Sequence, residues 1–281
     1  MNILITGSGG FIGKNLKEFL SDKFTLLTPR SYELDLCNGF AVKQYFDCNP
    51  IDYIIHCASV GGVRGVEDAS TTLADNLKMV QNLIDAKSKD TKIILFGSGA
   101  MYDKMRDLHK VCESDIGNFI PKDLYGLSKL EISKLVNLRN DILCLNIFGC
   151  YGKYEKQTRF PTYAISQNLE RKPIIINQNV VFDYLYIEDL CKIVYYFIKN
   201  NPQEKIINAT PIKSVSLIEI ANIVNEIGDY KSEIIIKKDG LNFEYTGNND
   251  VLTKYFFDFT SYETGLKNLY GVLNEIRQLH I

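Results

Sequence analysis

The sequence predicts a Rossmann-type α/β fold, in which helices cover both faces of a doubly wound parallel sheet, with a smaller C-terminal lobe. Short apolar runs alternate with longer segments of helical period from the first residues to Phe148. The runs are almost continuously apolar, which is typical of parallel strands that helices bury on both faces. Three glycines, Gly7, Gly10 and Gly13, separate the first run from the first helical segment. Such strand and helix alternation indicates a parallel sheet.

Each predicted strand in the first half of the chain is followed by a predicted helix. In chain order, NILIT precedes a helix from about Phe11, FTLLT one near Phe40 to Phe46, DYIIHCA one from Leu73 to Ala86, and TKIILF one from Lys122 to Leu138. DILCLNIF is the next strand.

After Gly152 the alternation becomes less regular. A loop, KYEKQT, leads to a helix, to the short strands PIIIN and VVFDYL, and to a helix from Glu188 to Lys199. The later stretch LNFEYTGNNDV is polar and contains glycine and asparagine. We interpret it as a surface loop.

The composition argues against nucleic-acid and membrane partners. The 281 residues carry a formal net charge of -2, with acidic and basic residues spread throughout, so no basic stripe or polybasic block is available. Glycines break the first apolar run at once, which predicts no signal peptide. Stretches such as IVYYFI are far shorter than the ~18 residues that span a bilayer. We expect a cytoplasmic protein with no membrane and no nucleic-acid partner.

The cysteines and histidines predict no metal site. The chain has 7 cysteines and 3 histidines. The cysteines form no C-x-x-C pair, several lie inside apolar runs, and the histidines show no ligand spacing. We therefore expect free, buried thiols.

The glycines at the start of the chain point to a dinucleotide. In NILITGSGGFIGKNL they lie directly after a strand and at the beginning of a helix. Glycine permits a tight turn and a close approach to a pyrophosphate, whose charge the helix N-terminus meets with free N–H groups. A glycine-rich turn without a ligand is the alternative, which this context disfavours.

The end of the second strand bears on the choice of cofactor. LLTPRSYELDL lacks a strand-tip carboxylate for the two ribose hydroxyls of NAD. Arg30 lies there instead, and a guanidinium can pair with a 2′-phosphate. This favours NADP(H) and leaves NAD(H) open, since a lone loop arginine can also simply be solvated.

Tyr125 and Lys129 are candidates for proton transfer. They lie four residues apart in LYGLSKLE, which places both on one helical face. An ammonium group beside a phenol favours the ionised phenol, so the pair suits proton transfer near neutral pH. Ser98 follows the fourth strand, and Asn76 lies on the preceding helix.

These motifs occur together in one order: TGSGGFIG, LDL, DYIIHCA, Ser98, YGLSK and LNIFGCYG. On them, residues 1–210 resemble the extended short-chain dehydrogenase/reductase family, also called the NAD-dependent epimerase/dehydratase family. The stretch SVGGV is most similar to its GDP-fucose synthase-like branch of sugar-nucleotide 4-ketoreductases. The resemblance implies a dinucleotide-binding Rossmann domain of residues 1–158 plus 181–210. It also implies a substrate-binding lobe of residues 159–180 plus 211–281, and a homodimer.

The resemblance implies a role for each matching residue. Tyr125 moves the proton of a carbinol, Ser98 holds the same oxygen, and Lys129 assists Tyr125 and binds the nicotinamide ribose. Asn76 orders this catalytic group. Substrate contacts are implied for Ser98, Gly61, Tyr125 and Arg159. Cofactor contacts are implied for Gly7, Gly10, Phe11, Ile12, Gly13, Arg30, Asp35, Leu36, Cys57, Ala58, Ser59, Asn76, Phe96, Gly97, Tyr125, Lys129 and Phe148.

The residues after Ser98 limit the chemistry. Dehydratases of the family carry an Asp-Glu pair there, whereas this chain has Gly99 and Ala100. The bifunctional reductases of the similar branch epimerise with a cysteine two residues past the serine and a later histidine. Here the cysteine position is Ala100, and Thr158 or Arg159 lies near the histidine position. The family also often has arginines where this chain has Asn146 and Phe182.

The expected activity is NADPH-dependent reduction of the 4-keto group of a nucleotide-linked sugar, with GDP as the expected nucleotide, in a pathway for a surface polysaccharide. Neither dehydration nor epimerisation is expected. One alternative is a 4-epimerase or C4 dehydrogenase with tightly bound NAD, because these enzymes need only the serine, tyrosine and lysine. The other is a dinucleotide-sensing protein without turnover, although such proteins usually lose the tyrosine or the lysine.

Overall fold

Strands and helices alternate along the computed structural model, which describes residues 1–63 and 65–279. The strands are β1 Asn2–Thr6, β2 Thr25–Leu27, β3 Tyr53–His56, β4 Lys92–Ser98, β5 Leu108–Val111, β6 Ile142–Ile147, β7 Gly149–Tyr151, β8 Ile174–Asn179, β9 Val181–Phe182, β10 Tyr184–Tyr186, β11 Ile206–Ala209, β12 Val215–Ser216, β13 Ile234–Leu241 and β14 Tyr245–Gly247. The helices are α1 Phe11–Leu20, α2 Gly39–Cys48, α3 Thr72–Ala86, α4 Leu124–Asn137, α5 Phe160–Leu169, α6 Ile187–Lys199, α7 Leu217–Ile227 and α8 Tyr262–Gln278. Short 3-10 helices cover Gly99–Tyr102, Glu113–Asp115 and Leu252–Lys254.

The central sheet has six parallel strands in the order β11-β6-β4-β3-β1-β2. Ile3 and Ile5 face a hydrophobic cluster shared with α1 and α6. Leu4, between them, faces a second cluster shared with α2, α3 and α4. Successive side chains of a strand point to opposite faces, so helices bury both faces of this sheet. The predicted α/β fold with a doubly wound parallel sheet is confirmed.

The sheet changes its direction of growth at β1, because β2 lies on one side of β1 and β3 on the other. Ligands of open α/β sheets bind outside the carboxyl ends of the strands at such a point. Thr6 Oγ1 and His56 Nδ1, 2.8 Å apart, connect the two strand ends. Burial lowers the pKa of His56 to about 3, with the Lys129 charge as a smaller cause. The imidazole is therefore neutral and acts as part of the structure.

The second half of the chain builds smaller sheets beside the central one. β8 pairs with β13, β7 pairs with β10, and a four-stranded sheet has the order β12-β9-β14-β5. α5 packs against α7 and α8. Residues 280 and 281, with which the predicted lobe ends, lie outside the described residues. The division into two domains and the homodimer stay predictions.

The interpretation of LNFEYTGNNDV as a surface loop is wrong for Tyr245–Gly247, whereas Leu241, Asn242 and Phe243 are exposed. Leu241 ends β13, and Tyr245–Gly247 form β14, which pairs with β5 and β9. Thr246 and Gly247 are buried. The polar side chain of Thr246 is satisfied internally, because its hydroxyl donates to the Leu108 carbonyl oxygen at 3.2 Å. The polar residues of this stretch suggested exposure to water. At Thr246 the distant strand β5, not water, supplies the hydrogen-bond partner.

The described residues contain neither a helix that could cross a membrane nor a cluster that could bind a metal ion. Within residues 1–63 and 65–279, no helix has the length and apolar character that crossing a membrane requires. The same ranges hold no group of three or more His, Cys, Asp or Glu placed to bind a metal ion. The cysteines are free thiols.

Candidate active site

The glycines after β1 form a tight loop that suits a pyrophosphate. Gly7 has a φ of 63°, and a Cβ there would lie 2.6 Å from the Ala58 nitrogen. A Cβ on Gly13 would lie 2.3 Å from the Gly7 carbonyl oxygen, so neither position accepts a side chain without backbone movement. The N-cap of α1 is Gly10, which gives no side-chain cap. The N–H groups of the first turn are thus free for an anion.

A cavity of about 700 Å³ opens beside this loop. Six predicted cofactor residues line it: Gly7, Gly10, Arg30, Asp35, Leu36 and Ala58. The Arg30 guanidinium folds over the loop, since a Cβ on Gly9 would lie 2.1 Å from Arg30 Nη1. Val60 and Met79 also line the cavity, and the sequence analysis did not predict them. The residues present therefore fit the adenosine and pyrophosphate portion of a dinucleotide.

The other predicted cofactor residues lie along the same edge of the sheet. Phe11, Ile12 and Gly13 form the first turn of α1, and Phe96 and Gly97 lie near the end of β4. Cys57, Ala58 and Ser59 follow β3, and Phe148 follows β6. Because the carboxyl ends of parallel strands meet at one edge, the fold brings these residues together.

Ser98, Tyr125 and Lys129 converge at the carboxyl end of β4. Ser98 is the last residue of that strand, and the other two lie one turn apart on α4. Lys129 is buried, and its Nζ donates to the Phe96 carbonyl oxygen at 2.9 Å. The same Nζ lies 5.4 Å from the centroid of the Tyr125 ring. A buried ammonium is thus held beside the phenol, as the spacing of four predicts.

The loop after β3 packs against the face of Tyr125. A Cβ on Gly62, whose φ is 69°, would lie 2.8 Å from Tyr125 Cζ. Asp68 holds the two parts together: Oδ1 accepts from the Gly62 nitrogen at 2.9 Å, and Oδ2 accepts from the Tyr125 nitrogen at 2.9 Å. Gly61, at φ 83°, has no room for a Cβ, which would lie 2.6 Å from Asp68 Oδ1. Asp68 is a positioning residue that the sequence analysis missed.

Asn76 is buried behind this loop. Its Nδ2 donates to the Val60 carbonyl oxygen at 2.9 Å and to Ser128 Oγ at 3.1 Å, and its Oδ1 accepts from the Val60 nitrogen at 2.9 Å. These bonds join the loop after β3 to the helix that carries Tyr125. The predicted role of Asn76 in ordering the catalytic group stays a prediction.

Gly99 packs beneath two aromatic side chains. A Cβ on Gly99 would lie 2.6 Å from Phe148 Cδ1 and 2.7 Å from Tyr245 Oη. Burial raises the pKa of Tyr245. The next residue, Ala100, is buried, and its N–H donates to Ser98 Oγ at 3.2 Å. Tyr245 therefore occupies the space that a side chain at position 99 would need.

A buried carboxylate holds Tyr245 in place. Asp183 Oδ2 accepts from the Gly247 nitrogen at 2.8 Å, and Oδ1 accepts from Ser214 Oγ at 2.6 Å. Lys110 Nζ lies 3.4 Å from Asp183 Oδ1. Burial raises the pKa of Asp183, while Ser214 and Lys110 oppose that effect. The network fastens β14 to β5 and to the segment before β12.

Phe182 and Asn146 stand where the family often has arginine, and both make packing or hydrogen-bond contacts within the protein. Phe182 packs on Tyr245, with ring centroids 5.6 Å apart. Asn146 is buried, and its Nδ2 donates to Asn208 Oδ1 at 3.1 Å. Arg159 is exposed at the N-cap of α5, near enough to Tyr245 to influence its pKa electrostatically.

Comparison with known proteins identifies the family. Residues 3–210 match the NAD dependent epimerase/dehydratase family. The chain belongs to this family. Its glycine loop, Ser98, Tyr125 and Lys129 all lie within the matched residues. GDP-L-colitose synthase of Yersinia pseudotuberculosis is 26% identical over 269 residues, covering 85% of this chain and 85% of that protein.

Two solved structures share the fold. GDP-L-fucose synthetase from Naegleria fowleri, bound to NADP, has a TM-score of 0.82 at 16% identity, covering 99% of this chain and 94% of that one. GDP-mannoheptose C4 reductase from Campylobacter jejuni, also with NADP bound, has a TM-score of 0.82 at 17% identity, covering 97% and 98%. The resemblance to the extended family and to its GDP-fucose synthase-like members is confirmed. Its membership of this family makes the protein an oxidoreductase- or epimerase-type enzyme.

Proposed function

We propose that this enzyme reduces the 4-keto group of a GDP-linked deoxy or modified sugar with NADPH, and neither epimerises nor dehydrates it. One observation carries the proposal: Ser98, Tyr125 and Lys129 converge beside two residues, Gly99 and Ala100, that have no acid or base. Tyr125 can protonate an oxygen. Gly99 and Ala100, which stand where other members of the family carry the groups for a second proton transfer, have no acid or base.

Each of the three residues has one task in this reaction. A nicotinamide bound at this site would supply the hydride. Tyr125 gives its proton to the alkoxide oxygen that forms, a contribution of about 10²- to 10⁴-fold for a well-placed group. Ser98 hydrogen-bonds the same oxygen and fixes its position. Lys129, whose buried ammonium lies beside the Tyr125 ring, is placed to bind the nicotinamide ribose.

The absence of epimerisation follows from which groups could act as a base. Removing a proton from a carbon beside a ketone requires a base at the reacting carbon. Ala100, inside the 3-10 helix Gly99–Tyr102, offers only a buried methyl group at the position where a base would be needed. Burial raises the pKa of Tyr245, so this phenol stays protonated near neutral pH and supplies no base.

Arg30 supports NADPH as the cofactor. Its guanidinium lies over the glycine loop at the mouth of the adenosine cavity, where a 2′-phosphate would add charge for it to pair with. Both structures described above carry NADP. GDP is proposed because all three compared proteins act on or make GDP-sugars, as their names state. Arg159 is the proposed contact to the nucleotide diphosphate.

A panel of keto sugars tests the proposal. The purified enzyme is mixed with NADPH or NADH and with GDP-, dTDP- or UDP-linked 4-keto-6-deoxy sugars. Oxidation of the cofactor is followed as the loss of absorbance of the reduced nicotinamide. We expect the enzyme to oxidise NADPH when the GDP-linked ketone is present. Interconversion of C4 epimers without added cofactor would identify a 4-epimerase instead, and binding of cofactor without turnover of any ketone would identify a sensor.

Deuterium labelling tests the absence of epimerisation separately. A base beside the ketone would exchange the hydrogens of carbons 3 and 5 with solvent. We therefore expect no enzyme-dependent deuterium uptake when the keto sugar is incubated in deuterium oxide without reduced cofactor. Uptake at either carbon, seen by mass spectrometry or proton NMR, would show that another residue supplies the base.

A further inference from the structure

The loop between β3 and α3 touches Tyr125 at a point to which the proposed chemistry gives no task. A Cβ on Gly62 would lie 2.8 Å from Tyr125 Cζ and 2.9 Å from Cδ1 and Cε1. Ordinary contacts between carbon atoms are about 3.5–4 Å, so only a residue without a side chain fits between the loop and the ring. The backbone of Gly62 therefore lies against the proposed proton donor.

Asp68 fastens this loop to the helix that carries Tyr125. Its Oδ1 accepts from the Gly62 nitrogen and its Oδ2 from the Tyr125 nitrogen, each at 2.9 Å. Tyr125 is the second residue of α4, where N–H groups have no carbonyl partner inside the helix. We call this pair of hydrogen bonds the Asp68 bridge. It gives the Tyr125 N–H its acceptor from a residue 57 positions earlier in the chain.

The loop is also held at a second point, which is independent of Asp68. Asn76 Oδ1 accepts from the Val60 nitrogen, and Asn76 Nδ2 donates to the Val60 carbonyl oxygen, both at 2.9 Å. Val60 lines the adenosine cavity, whereas Gly62 contacts Tyr125. Breaking the Asp68 bridge should therefore release the part of the loop beside Tyr125 and leave the part beside the cofactor cavity in place.

We propose that Asp68 is a positioning residue for proton transfer: its bridge holds Gly62 against Tyr125 and so fixes the phenol where it protonates the sugar oxygen. The effect on protonation rests on the proposed function, whereas the contact with Tyr125 does not. A displacement of about 1 Å in an active site can cost about 10²-fold in rate. Loosening a contact this close to Tyr125 should therefore lower turnover.

Asp68→Asn breaks half of the bridge with little change in shape. A carboxylate accepts through both oxygens, whereas an amide has one oxygen and an NH₂ group that can only donate. One of the two backbone N–H groups then loses its acceptor. Asp189→Asn, on α6, is the matched control, because Asp189 also joins a distant segment through two bonds. Its Oδ1 and Oδ2 accept from the hydroxyl and the nitrogen of Thr260 at 2.8 Å.

The kinetics of these two variants separate positioning from a general loss of stability. With NADPH and a GDP-linked 4-keto-6-deoxy sugar, Asp68→Asn should lower kcat roughly 10- to 100-fold. The Kd of NADPH should stay within about twofold, because the Val60 anchor is intact. Asp189→Asn should lower Tm and leave kcat within about twofold. A near-wild-type kcat in Asp68→Asn, equal losses of kcat in both variants, or a loss confined to NADPH binding would overturn the proposal.

Two glycines of the same loop test the contact itself. Gly62 and Gly65 have φ values of 69° and 76°, so alanine strains the backbone at either position. Apart from its neighbours in the chain, no described residue comes within 4 Å of an added Cβ on Gly65. Gly62→Ala should lower kcat roughly 10- to 100-fold, and Gly65→Ala should leave it within about threefold. Equal losses would mean that the loop conformation matters and the contact with Tyr125 does not, which would refute the proposal.

A further measurement needs no substrate. In protein labelled with tyrosine carrying ¹³C at Cζ, the Tyr125 resonance is assigned as the one that Tyr125→Phe removes. We expect Asp68→Asn and Gly62→Ala to shift it and Gly65→Ala to leave it in place. An unmoved resonance in either of the first two variants would refute the role of the Asp68 bridge. Shifted resonances in an enzyme that reduces none of the keto sugars would support the bridge and refute the proposed function alone.

Discussion

Replacing Gly99 with alanine would place a methyl group in space that two aromatic side chains already fill. The new carbon would lie 2.6 Å from Phe148 Cδ1 and 2.7 Å from Tyr245 Oη. Ordinary carbon contacts are about 3.5–4 Å, so one or both rings must move by roughly 1 Å. Phe148 is buried against Tyr102 as well, which leaves Tyr245 as the side chain that can yield.

The cost can be worked from these contacts. Overpacking a filled core by one carbon costs about 1–3 kcal/mol. Replacing glycine by alanine in a compatible conformation returns about 0.4–1 kcal/mol through the unfolded chain. The free energy of unfolding of Gly99→Ala should therefore fall by about 0.5–2 kcal/mol. Turnover should fall as well, because the added methyl group lies directly after Ser98 in the chain.

The assay compares Gly99→Ala with Gly271→Ala. Gly271 lies in α8 with nothing within 4 Å of an added Cβ, so alanine there should stabilise by up to about 1 kcal/mol. Urea unfolding is followed by far-UV circular dichroism, since the chain has 17 tyrosines and 0 tryptophans and offers no indole signal. The difference between the variants isolates the steric cost. Equal stability of the two variants, with unchanged turnover, would refute the reasoning about Gly99.

Three further predictions concern other residues. Tyr125→Phe should keep dinucleotide binding and lose about 10²- to 10⁴-fold in turnover; near-wild-type steady-state rates would remove it from the mechanism. Arg30→Ala should weaken NADPH more than NADH, by about 1.5–3 kcal/mol, and equal losses in a fluorescence titration would mean that it does not contact the phosphate. Burial raises the pKa of Glu155 from 4.5 to about 8, so the folded state keeps a proton that the unfolded chain releases. The stability that this proton supplies is present at low pH and is lost as pH rises through that window, at about 1.4 kcal/mol per pKa unit. Glu155→Gln should flatten the fall of Tm between pH 5 and 8, whereas Glu170→Gln, at an exposed site, should keep it; parallel curves would contradict this.

The sequence alone determined the central sheet and the residues at its edge. Continuous apolar runs between helical segments admit few arrangements other than a parallel sheet covered on both faces. Glycines directly after β1 and a serine at the end of β4 are local features, because strand ends are visible in the pattern. Tyr125 and Lys129 were predictable as a pair, since a spacing of four fixes their geometry on any helix.

The tertiary structure alone decided what surrounds Ser98. β14 has three residues, and its strand pairing depends on β5 and β9, which lie elsewhere in the chain. A polar stretch with glycine has the same local composition whether water or a distant strand satisfies its backbone, so periodicity could not distinguish the two. The hydroxyl of Tyr245 reaches the space beside Gly99 from this strand, which the buried Asp183 joins to Ser214. Such contacts join residues that are remote in sequence, and no local pattern records them.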